Sequence, residues 1–181
     1  MKMIFLMGML LVDLLLSSLI ASSFAYTNII FVPMTSLLFL SYRMMHNPNS
    51  IMLVYGFVVG LFVDLMMHSL LFTHAIIYVV ALLLLKEYQR HFSDTLVEIV
   101  IMGLIVIFAK EIMLFVLMSA MNIIDISMLR WYGARLFFTL IGNIPLILFA
   151  YTISNQFNKV MIKQEITKKR SETSLWRFSK D

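Results

Sequence analysis

Asp64 and His68 stand four residues apart, on one face of any helix that carries them, and His74 follows across a turn. A carboxylate and imidazoles at that spacing can hold a metal or act as an acid–base pair. The surrounding sequence does not build on them. No His-Glu-x-x-His pattern, no third carboxylate nearby and no serine in a nucleophile setting accompanies the group. Both histidines fall near the outer ends of apolar runs, where a solvated imidazole is the plainer reading. The chain has no cysteine, which excludes disulfides, thiolate metal sites, cysteine nucleophiles and lipobox acylation. No catalytic residue, metal or cofactor is assigned.

The elements that carry these residues are apolar throughout. Of 181 residues, 61% are hydrophobic and 13% charged, where soluble domains average about half and a quarter. Mean hydropathy is +0.94. One small core hides only about 70% of its chain's surface, so a soluble enzyme, a disordered chain and a nucleic-acid-binding module are set aside. Alternation with period two is missing, which argues against a β-barrel. A crossing helix needs about 20 apolar residues. Six runs qualify or nearly so: Met3–Ala25, Ile29–Tyr42, Ile51–Leu70, Phe72–Leu85, Ile99–Ile124 and Met128–Ile153. The second and fourth are short enough to be half-length or tilted helices. Tyr26-Thr27-Asn28 and the Asn47-Pro48 loop separate the first three runs.

Basic residues give the orientation. Six spans put both termini on one side, with the loops at 43–50 and 86–98. Lys2, Arg43, Lys86, Arg90 and the seven basic residues from Lys159 to Lys180 lie there. Arg130 and Arg135 face the opposite side, and Lys110 lies inside a span. Cytoplasmic loops carry the Lys/Arg excess, so the chain reads as an all-α polytopic membrane protein, N-in and C-in. Residues 1–158 form the six-helix membrane domain and residues 159–181 a basic cytoplasmic tail, which can extend the sixth helix along anionic lipid or, the favoured reading, merely set topology. A cleaved signal peptide ending at Ser23-Phe24-Ala25 is the competing reading; Asp13 interrupts its apolar core.

Charges at membrane depth cost at least about 2.5 kcal/mol each and call for partners. They are Asp13, Asp64, Lys110, Glu111 and Arg135. Neighbours point about 100° apart on a helix, so Lys110 and Glu111 are not expected to pair. Matching depths pair Asp13 with Lys110 and Asp64 with Arg135; Glu111 then shares Arg135 or keeps a proton. Mixed signs without a visible internal repeat favour charge pairs that fix helix order over an ion path. Ser17, Ser18, Ala21, Ser22 and Ala25 make a small-residue face on the first span, and Gly56 and Gly60 a GxxxG pair on the third. Pro145 predicts a kink beside Gly142 and Asn143, and Asn143 can bond across helices. Pro33 falls early in the second span, where proline is tolerated.

Together these positions resemble the MreD family of rod-shape-determining membrane proteins. The nearest stretch is Gly56 to Leu85, with Gly60, Leu61 and Asp64 as Gly-Leu-x-x-Asp and then Thr73, His74 and Ala75 opening the next helix. Thr139 to Phe149 resembles the family's last span, with Asn143 and Pro145 in register, and Pro33 fits the second. This chain has Met67-His68-Ser69-Leu70-Leu71-Phe72 where the family usually has glycines. The resemblance implies an S-component-like bundle and a non-catalytic role, scaffolding or regulating peptidoglycan synthesis in the elongation complex of the bacterial cytoplasmic membrane. Implied partners are an MreC-like bitopic membrane protein, a SEDS glycosyltransferase, a class B penicillin-binding protein and, where present, MreB. Asp64 and Gly60 are expected to fix the third and fourth helices. The alternative is the substrate-binding S component of an energy-coupling-factor vitamin transporter, docking through Ala21 and Ala25, with Trp131, Tyr132 and Asp125 as pocket candidates.

Overall fold

Helices form along each long apolar run: α1 Lys2–Ser23, α2 Thr35–His46, α3 Ser50–Met66, α4 Thr73–Tyr88, α5 Leu96–Ala120, α6 Met128–Trp131 and α7 Phe137–Phe178. A π-helical turn, Tyr132–Leu136, joins α6 to α7 without a break in the helical backbone. The computed structural model describes residues 2–23, 30–46, 50–66, 72–88, 95–124 and 127–178, and among these it contains no strand. Leu96–Ala120 and Met128–Val160 are long and apolar enough to cross a membrane.

α2 is the centre of the bundle. It touches α1, α3, α4, α5 and α7, and every residue from Met34 to Met44 is buried. A helix buried on all sides must satisfy its polar groups internally. Ser41 Oγ donates to its own Leu37 carbonyl, and the Tyr42 hydroxyl reaches the Ile99 carbonyl of α5 at 3.0 Å. Arg43 lies over the Phe157 ring at 4.8 Å and donates to Asn158 of α7.

Several helices present apolar faces outward. Leu11, Leu15 and Leu19 of α1, Ile101, Ile105 and Phe108 of α5, and Phe137, Ile141, Ile144 and Leu148 of α7 are all exposed at helical spacing. Soluble monomers rarely present apolar patches on this scale. Lipid is the solvent that suits them.

One element departs from the sequence expectation. The second run is not helical over its whole length: residues 30–34 are non-helical, and α2 begins at Thr35 and runs on to His46. Pro33 therefore precedes the helix rather than opening it. Past residue 158 the last helix runs on through Phe178, one of the two courses the sequence leaves open for the tail, and Pro145 lies inside α7 without ending it. α5 stops at Ala120, where Asn122 takes a left-handed φ of 54°. The breaks at Tyr26-Thr27-Asn28 and Asn47-Pro48 lie outside the described residues, as do Ala25, His68 and Asp125.

Candidate functional site

α2 and α4 share an awkward start. The carbonyl of Met34 accepts the first helical bond of α2 from Leu38, and that of Phe72 the first bond of α4 from Ile76. Those two residues therefore occupy the N-cap positions, and neither side chain can accept from the exposed N–H groups of the first turn. In both cases an aspartate on the preceding helix takes over the task. Asp13 of α1 accepts from Thr35 N at 2.6 Å, the Thr35 hydroxyl at 2.7 Å and Ser36 N at 2.9 Å. Asp64 of α3 accepts from His74 N at 2.9 Å and Ala75 N at 3.3 Å, and lies 2.8 Å from His74 Nδ1.

The expected partners of these aspartates are thus wrong. Asp13 does not meet Lys110 in a direct ion pair, and Asp64 engages the start of α4 rather than Arg135. Lys110 and Arg135 both turn to Glu111, at 2.8 Å and 2.7 Å. Sequence neighbours do diverge on a helix, but the Lys110 stem is long enough to bring its ammonium back to the Glu111 carboxylate. Arg135 also lies over the Trp131 ring, 4.8 Å from its centroid.

Charge around these two helix starts and Glu111 nearly closes. Asp13, Asp64 and Glu111 bring three negative charges, Lys110 and Arg135 two positive ones, with His74 counted neutral. The N-termini of α2 and α4 each add about half a positive charge. Helix ends supply what side chains lack.

Asn143 of α7 clamps the chain leading into α2. Its carbonyl accepts from Met34 N at 3.1 Å, and its amide donates to the Val32 carbonyl at 2.8 Å. Ile30 N donates to the Ala134 carbonyl in the π-helical turn at 2.9 Å. Non-helical backbone is tolerated at depth only when protein satisfies it this way.

Glycines set the close approaches. A Cβ on Gly60 would lie 2.6 Å from Ala75 N and would also collide with the Ala75 Cα, so α3 and α4 meet there backbone to backbone. Gly56 faces Leu82, and Gly142 faces the Phe31 ring. Phe72 adopts a φ of 72°, a region that favours glycine, and its ring stacks on Phe57.

Of the other sequence candidates, Trp131 is buried against Phe115, and Tyr132 is exposed. His74 belongs to the Asp64 cap. The side chains of Ala21 and Ser22 lie outside the description. Among the described residues no group of three or more His, Asp or Glu is placed to hold a metal. Thr35 and Ser36 were missed, although two small polar residues opening an apolar run after a proline are a helix-start signal. The repeated Val-Asp-Leu at 12–14 and 63–65 was a second missed signal, since both tripeptides carry a capping aspartate. No protein-family model matches the chain, and no curated protein or solved structure matches it either.

Proposed function

We propose that this chain is a six-span, N-in/C-in protein of the bacterial cytoplasmic membrane and a non-catalytic scaffold of the cell-wall elongation complex, as its resemblance to the MreD family implies. One observation carries the reading. The residues that make the resemblance, Gly60, Asp64, His74 and Ala75, form a single unit in which the glycine lets two backbones meet and the aspartate caps the helix beyond. The pattern therefore has a physical reason to exist as a set.

The span count is supported by arithmetic at the weakest point. α2 has 12 residues, about 18 Å at 1.5 Å per residue. The five residues from Ile30 to Met34 add up to about 16 Å when extended. Their sum matches the roughly 30 Å of hydrocarbon. Asp13, Asp64, Lys110, Glu111 and Arg135 are each used in a cap or a pair, which supports a structural role over an ion path.

The test is purification of the tagged native protein in gentle detergent, with mass spectrometry of co-purifying proteins. An MreC-like bitopic protein together with a SEDS glycosyltransferase and a class B penicillin-binding protein is the expected result. Recovery of paired ABC ATPases with a large transmembrane subunit would replace the scaffold with a vitamin-transporter S component.

A further inference from the structure

Where the chain enters α2, a cavity of about 20 Å³ remains, lined by Asp13, Ser17, Pro33, His74, Tyr78 and Lys110 among others. About 10–15 Å³ on this measure accommodates one water, provided it finds two to four polar partners. The partners are present. Lys110 is wholly buried and its ammonium carries three N–H donors, of which the Glu111 bond uses one. Ser17 Oγ is buried and has no hydrogen-bond partner among the described residues. The Asp13 carboxylate, with about four lone-pair sites, accepts three bonds from α2.

We propose that this cavity is a binding site for one ordered water, which accepts a hydrogen bond from Lys110 Nζ and donates to Ser17 Oγ and the Asp13 carboxylate. Two charges of opposite sign on the wall select a neutral dipole. A bound cation would face the Lys110 ammonium, and an anion would face Asp13. The water gives Asp13 and Lys110 the contact that their shared depth suggests, through a bridge rather than a direct pair. It also hydrates the non-helical approach to α2, where unmatched polar groups are expensive.

The experiment is a structure of the full chain in a lipid nanodisc, at a resolution that shows ordered solvent. Density within about 3.2 Å of both Lys110 Nζ and Ser17 Oγ is expected. An empty cavity, a bound ion, or an ammonium seated directly on the Asp13 carboxylate overturns the proposal. Solid-state NMR of 15N-lysine protein gives an independent readout, with the Lys110 signal assigned by its loss in Lys110→Met. Polarisation should pass from water to Nζ in the native chain and be lost in Ser17→Val. Should that variant fail to fold, absence of transfer in the native protein still refutes the water.

Discussion

Two regions of the interior handle buried charge in different ways. Around Glu111, charge meets charge, with an ammonium and a guanidinium converging on one carboxylate. Around Asp13 and Asp64, charge meets backbone, each carboxylate closing the first turn of a helix that has no cap of its own. The side-chain cluster is replaceable in principle, because its members mainly satisfy one another. The caps are not. Their N–H groups stay in place whatever the side chains become.

That contrast ranks the expected effects. Glu111→Gln leaves the buried Lys110 ammonium and the half-buried Arg135 guanidinium facing a neutral amide and should destabilise the fold by about 3–5 kcal/mol. Unfolding of the purified protein in mixed detergent micelles measures it. Replacing all three members with apolar residues, as Glu111→Leu, Lys110→Met and Arg135→Leu together, should recover most of that loss, since apolar substitutes for buried ion groups are often neutral or better.

Asp13→Asn comes next, at about 1.5–3 kcal/mol, the range for a hydrogen bond to a charged group. No second side-chain change should rescue it. Asp64→Asn should cost less in the same assay. Its two shorter contacts fall on one oxygen, which an amide keeps, and the longer bond to Ala75, at 3.3 Å, falls on the other. At Asp13 the second oxygen holds Ser36 N at 2.9 Å. Equal losses would mean that the two caps are not distinguished by geometry.

Gly60→Ala forces a methyl against the α4 backbone and should cost about 1–3 kcal/mol, read as a lower midpoint in the same titration. Gly8→Ala is the counterpart with nothing within 4 Å of the new carbon. It should stay within about 0.5 kcal/mol of the native protein, or gain slightly from the better helix propensity of alanine.

The sequence made the local half of this architecture readable and hid the distant half. Gly60, Asp64 and Ala75 lie within sixteen residues of one another, so a spacing pattern could single them out together. Asp13 and Thr35 are 22 apart, and Asn143 meets Met34 across 109 residues; no local pattern links such pairs. Long runs betrayed their helices through apolar content alone. The start of α2 misled because hydropathy does not register backbone conformation, and residues 29–34 are as apolar as the helix they precede. Charge pairing misled for another reason. Depth along a helix can be counted from sequence, but azimuth and stem length decide which neighbour a lysine reaches.

The clamp on the approach to α2 also has a consequence in time. Met34 and Val32 find their hydrogen-bond partner on Asn143, which is synthesised 109 residues after Met34. At chain-elongation rates of about 5–20 residues per second, the ribosome takes roughly 5–20 s to reach it. Throughout that interval the most buried helix of the protein has an unfinished entrance. Its first stretch must be sheltered by something other than its final partner until the last helix arrives to lock it.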